Sequence, residues 1–184
     1  MKRLPLFCLF ALLLTAFAAC NESKTTAPEV KKDSTATVPD TTVYGVCGEA
    51  TSMHVLQVIT DMGDTLTFAI GDEYPDSTDV QGGLMAGDRM AVIAHRSGDE
   101  QVAEHVINIT TLLGHWTSLD KNFTIEEGGV VKSSVRAESH PWTSWKIYNG
   151  QLLLNTDTFR IDLLGADSLF LENDRGIFVY KRQI

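Results

Sequence analysis

The sequence is poor in cysteine, in basic residues and in helical periodicity. Three cysteines stand in 184 residues, and one of them, Cys8, lies inside an apolar leader. That excludes a disulfide-stapled mini-protein and a zinc site of four thiolates. Fifteen Lys and Arg face 24 Asp and Glu, a formal net charge of −9. Nucleic acid is therefore not an expected partner, because phosphate binding needs a basic face. Beyond the leader no apolar run approaches the roughly 20 residues of a membrane-spanning helix. No Gly-x-Ser-x-Gly elbow, no glycine-rich phosphate loop before a helix and no His-Glu-x-x-His occurs. Neither an enzyme nor a cofactor is expected. What is present is 43% hydrophobic residues, enough to fill a core.

Met1-Lys2-Arg3 is a short basic start, and Leu4 to Ala19 carries no charge. Basic start, short apolar middle and small residues at the end make residues 1–19 a signal peptide. Thr15-Ala16-Phe17-Ala18-Ala19-Cys20 resembles a bacterial lipobox, with Phe17 where leucine is usual. The resemblance implies cleavage before Cys20 and acylation of that cysteine. Two or more acyl chains hold a protein to a membrane where one is marginal. With no acidic run after Cys20, the implied location is the outer membrane, facing the periplasm. Residues 20–41 have almost no large apolar side chains and read as a lipidated, disordered tether spanning roughly 25 Å. Asp33-Ser34-Thr35 and Asp40-Thr41-Thr42 look like Asp-Ser/Thr-X sites for O-glycosylation, on Ser34 and Thr41. Cys47 is the one thiol left over.

After the tether come short alternating runs broken by Gly, Asn-Gly and Asp, the pattern of an all-β protein. The charge changes near Thr111: residues 42–111 hold 11 acids against Arg89 and Arg96, whereas residues 112–184 hold 9 acids against 8 bases. Two β domains, 42–111 and 112–184, are expected. The first shows strands at 43–47, 53–60, 65–70, 89–95 and 102–109, with a long connection from Asp72 to Asp88. This arrangement resembles a five-stranded OB-fold barrel. The second shows seven or eight strands with tight turns, among them Asn149-Gly150, the strongest hairpin signal in the chain. Such a series suggests an up-and-down barrel that closes on itself and hides its edges.

Gly114-x-Trp116 on the first strand of this meander, with Tyr180-Lys181-Arg182 at its end, resembles the short lipocalin-like domains of Bacteroidota lipoproteins. The resemblance implies that Gly114 and Trp116 form the barrel floor and that a late basic residue, Arg182 or Lys181, packs across the tryptophan ring. It also implies binding of a small lipophilic ligand or of an envelope protein. Inward positions are expected at Trp116, Phe123, Ile125, Val131, Trp145, Ile147, Leu152, Leu154, Phe159, Ile161, Leu169, Leu171, Ile177 and Val179. Short strands favour an interior filled by side chains, leaving binding to the rim or to a seam between domains. A second function is metal or stress sensing in the envelope, which clustered histidines or acids around a cleft would favour; the acids of one loop, Asp72, Glu73, Asp76 and Asp79, could offer oxygen to Ca²⁺. His95 and His105 lie on adjacent strands, and a one-residue bulge between them decides whether they share a face.

Overall fold

The computed structural model describes residues 38–72, 77–135 and 139–183. The leader, Cys20, Ser34, Glu73 and Asp76 lie outside the described residues. From Pro39 onward the chain forms one compact unit, built among the described residues of strands, one short helix and a single 3₁₀ turn.

The first six strands are β1 (Val43–Cys47), β2 (Val55–Thr60), β3 (Thr65–Ala69), β4 (Asp79–Gln81), β5 (Arg89–Ser97) and β6 (Glu100–Asn108). They run in the order β3-β2-β1-β5-β6-β4, and a further parallel pairing of Ala69 with Val102 joins β3 to β6. That contact closes a five-strand barrel and leaves β4 laid outside it, parallel to β6. Leu56, Val58, Phe68, Met90, Val92 and Val106 fill it and are wholly buried. β1 carries Gly45 because β2 passes so close that a Cβ there would sit 2.4 Å from the Ile59 carbonyl oxygen.

A four-residue helix, α1 (Ile109–Leu112), then turns the chain into the second barrel. The buried Asn108 caps it, accepting from Thr111 N at 2.9 Å and donating to Asp88 Oδ2 at 2.7 Å. Eight strands follow: β7 (Gly114–Thr117), β8 (Asn122–Glu126), β9 (Val130–Ser133), β10 (Trp145–Tyr148), β11 (Gln151–Leu154), β12 (Asp157–Leu164), β13 (Ser168–Asn173) and β14 (Gly176–Arg182). Their order, β10-β11-β12-β13-β14-β7-β8-β9, is an up-and-down meander whose last strand pairs back to the first. Its two outer strands meet through a Val130–Ser144 bridge and a 3.0 Å bond from Val131 N to Thr143 O, so the barrel is nearly closed. Asn149 and Gly150 turn β10 into β11 with φ of 46° and 76°, the double positive φ of a type I′ turn.

Four local expectations are corrected. The strand expected to run to Ile109 stops at Asn108, because the asparagine side chain diverts the backbone into a helical turn. Part of the expected long connection is β4. On the last strand the inward pair is Phe178 and Tyr180, while Ile177 and Val179 point outward. All four residues from 177 to 180 are apolar or aromatic, so alternation carries no phase there. Pairing with β13 supplies it: Leu171 and Leu169, both wholly buried, face Phe178 and Tyr180, and directly paired residues share a face. Trp142 in the connection ahead of β10 is buried, and Trp145, expected inward, is half-buried.

Candidate functional site

In an up-and-down barrel successive turns fall at alternate ends. Turns at 127–129, 149–150 and 165–167 share one end with α1, and those at 118–121, 155–156 and 174–175 share the other. The first end is plugged. Ile109 and Leu112 of α1 join the apolar cluster of the barrel, as do Ala91 and Ile107 from the first barrel. Tyr44 donates its hydroxyl to Ile147 O at 2.7 Å, Leu164 N donates to Gln81 Oε1 at 2.8 Å, and Gly82 N donates to Leu164 O at 3.0 Å.

At this end Gly114, Trp116 and Arg182 meet, whereas Lys181, the other basic candidate, is exposed. Gly114 opens β7 at φ +136°, and a Cβ there would come within 2.2 Å of the Arg182 guanidinium. The guanidinium carbon lies 4.2 Å from the Trp116 ring centroid, a cation–π distance. Arg182 also donates to the Leu113 carbonyl at 2.8 Å and to the carbonyls of Thr111 and Ala166. Trp116 is fully buried and donates Nε1–H to Leu112 O at 2.9 Å. β14 and β7 pair where Arg182 stands opposite Trp116, and this pairing brings together residues 66 positions apart in the chain.

The other end is open. A cleft of about 750 Å³ runs from the rim into the barrel, above an interior filled by side chains that include Trp116, Phe123, Ile125, Leu152 and Leu171. Its inner wall is Trp142, Phe159, Phe178 and Tyr180. These rings stack edge to face: Phe123 meets Trp142 and Tyr180, each at 5.1 Å, Trp142 meets Phe159 at 5.7 Å, and Phe159 meets Phe178 at 5.9 Å. Such geometry suits the ring quadrupoles and fixes the wall. The rim is polar. Lys121 Nζ lies 4.4 Å over the Trp142 ring, Trp142 Nε1 donates to Asp157 Oδ2 at 3.3 Å, and Arg175 stands 3.6 Å from the other Asp157 oxygen.

Burial lowers the pKa of Lys121, with the Asp157 charge acting against that. The Tyr180 hydroxyl is pushed up to about 12, first by burial and then by the nearby Asp120 carboxylate. At neutral pH the cleft thus presents a neutral phenol, an aromatic wall, and both signs of charge at its mouth. It can hold an apolar or aromatic group and orient a polar head, the usual balance of a ligand pocket. Sequence reasoning did not single out Lys121, Trp142 or Asp157 for this role. Trp142 sits just after Pro141 in what reads as a strand, and only folding turns it over Phe123.

The other described candidates do not line the mouth. Asp72 is exposed near the end of β3, whereas Asp79 is part of β4, where it accepts from Gln81 Nε2 at 2.6 Å and lies 3.4 Å from His105 Nδ1. A bulge does occur between Ile93 and Ala94, yet His95 approaches Glu104 (2.8 Å, off hydrogen-bond alignment) and His105 approaches Asp79. Among the described residues no group of three or more His, Cys, Asp or Glu side chains converges as metal ligands would. Thr41 is exposed, and both its N–H and its hydroxyl donate to Asn149 Oδ1, at 2.9 and 3.1 Å. Cys47 is buried beside Thr51, with 3.3 Å between sulfur and hydroxyl.

Comparison with known proteins adds one positive result. Neither the curated proteins nor the solved structures gave a match. The match that was found starts at the residue capping α1 and ends just past β14, so it takes in the plug, the floor and the mouth together. Residues 108–183 match the lipocalin-like family, a fold that generally binds rather than catalyses.

Proposed function

We propose that the protein is a lipid-anchored binding protein of the bacterial cell envelope, held by acylated Cys20 to the outer membrane on its periplasmic side. In this reading the mouth of the eight-strand barrel takes the apolar part of a small ligand or of a partner protein. The observation that carries the binding half is the open cleft walled by Trp142, Phe159, Phe178 and Tyr180 and rimmed by Lys121 and Asp157. The anchoring half rests on the lipobox-like run ending at Cys20. The two are compatible in layout. Asn149 accepts from Thr41 and donates to Pro39 O at 3.2 Å, so the chain joins the body at the plugged end, opposite the mouth.

Each half has its own test. Mass spectrometry of the mature N-terminus should find acyl chains on Cys20, and Cys20→Ala should move the protein from the membrane to the soluble fraction. An unmodified, soluble wild-type product would refute the anchor. For the mouth, the dye N-phenyl-1-naphthylamine should bind at micromolar concentration and quench tryptophan emission. Phe159→Asp in the wall should weaken binding at least tenfold; unchanged dye affinity would refute the site.

A further inference from the structure

β14 is only half covered on one side. It pairs with β13 from Gly176 to Lys181, but with β7 only at Lys181 and Arg182. Two bonds fix the direction of its backbone groups. Arg182 N donates toward the β13 side, to Asp167 O at 2.8 Å, and Gln183 N donates toward β7, to His115 O at 2.9 Å. Successive residues of a strand alternate in this respect, so Ile177 and Val179 aim their N–H and C=O groups at the β7 side. β7 is not there to meet them. It ends at Thr117 and folds back, Ser118 N donating to Lys121 O at 2.7 Å. Among the described residues these four backbone groups have no ladder partner. Three apolar side chains beside the gap are open to water, Ile177 at 57% exposed, Val179 at 48% and Leu119 of the neighbouring turn wholly so, while Asp120 and Lys121 of that turn add one charge of each sign.

The gap opens into the mouth cleft, whose lining includes residues 177–180 and 118–121. We propose that this slit receives one extended, largely apolar segment of a partner polypeptide as an added strand on β14. The inference rests on the mouth being the binding site and names the chemistry of what enters it. The backbone is the reason for choosing a peptide. A lipid tail or an aromatic small molecule laid along Ile177 and Val179 would cover their N–H and C=O groups without bonding them, which is unfavourable. An extended peptide satisfies them, as in strand addition to a sheet edge. Five open residues, Gly176 to Tyr180, span about 17 Å, room for a comparable length of strand. Its alternate side chains fall on two apolar surfaces: the aromatic wall on the side of Phe178 and Tyr180, and the outer surface beside Ile177 and Val179. A second copy of the chain fits less well. Pairing Ile177 with Val179 of a two-fold mate sets Arg175 opposite Lys181, and like charges facing each other across strands are destabilising.

The test uses an end-blocked seven-residue peptide that alternates valine and threonine around a central tryptophan, against the intact chain. It should slow hydrogen exchange at the Ile177 and Val179 amides at least tenfold. The same peptide N-methylated on the amides that face β14 should bind at least tenfold more weakly. Val179→Pro removes an N–H that no ladder bond uses, as edge strands tolerate, and should weaken the unmodified peptide by a similar factor. N-phenyl-1-naphthylamine reads the mouth separately. Dye binding without peptide binding overturns the added strand and leaves the mouth in place; failure of both overturns the mouth as well. Equal affinity for the N-methylated peptide overturns the added strand even if Val179→Pro fails to fold. Self-association abolished by Val179→Pro would put a second copy in the slit and equally overturn the partner.

Discussion

Arg182 does three things with one planar group: it covers the Trp116 ring, satisfies the carbonyls of Thr111, Leu113 and Ala166, and fills the space where Gly114 has no Cβ. A lysine keeps the charge but has no fork with which to reach several acceptors. Arg182→Lys should lower stability by about 2 kcal/mol, the range for hydrogen bonds to charged groups, read as a shift in urea midpoint at unchanged slope. Tyr180 gives a pH signature. Its folded pKa is near 12 and its unfolded value near 10, so the unfolded chain loses this proton first. Its contribution is complete below pH 10 and is lost as pH rises from 10 to 12. Absorbance titration at 295 nm should show a phenol ionising near pH 12 that disappears in Tyr180→Phe, and the variant should lose less stability across that interval.

Strands rather than residues explain where the sequence was and was not readable. Alternation marks Phe159 and Ile161 as inward on β12, and both are buried. The bulge between Ile161 and Leu163 then shifts the phase, exposing Leu163 and burying Leu164. β14 has only apolar and aromatic residues from 177 to 180, so its phase comes from β13. β4 is three residues long and takes its place from the side of β6, a tertiary contact without a local signal. The Asn149-Gly150 turn is the opposite case, legible because a two-residue turn at positive φ favours those residue types. That turn also holds residues 39–42: Asn149 N lies 3.3 Å from Asp40 Oδ1 and 3.1 Å from Thr42 Oγ1. Asn149→Asp keeps the turn type but sets a second carboxylate beside Asp40 and removes the donor to Pro39 O. Faster exchange of the Thr41 and Thr42 amides is expected, with a loss of about 1 kcal/mol.

At the scale of the whole molecule the two barrels share apolar cover. Ala91, Ile107 and Ile109 belong to the cluster of the eight-strand barrel, and Tyr44 packs against it while bonding Ile147 O. A charge-based boundary at Thr111 falls inside α1, whose Ile109 and Leu112 plug that barrel. Cooperative unfolding should follow: calorimetry of residues 39–184 should give one transition. Tyr44→Phe should lower it by about 1 kcal/mol, the net value of one such bond, without splitting it. Two separate transitions in the wild type would show that the shared cluster does not couple the barrels.

Composition and spacing by themselves determined the all-β class, the tight turns and the run ending at Cys20, because propensity, alternation and turn chemistry act over a few residues. The resemblance of Gly114-x-Trp116 and Arg182 to a known floor pointed to one end of the second barrel. The mouth was decided only by tertiary structure. Lys121, Trp142, Asp157 and Tyr180 come from four separate stretches of chain, and their meeting depends on how far each strand runs. So does the bare edge of β14, which exists because β7 turns back after four residues while its neighbour continues.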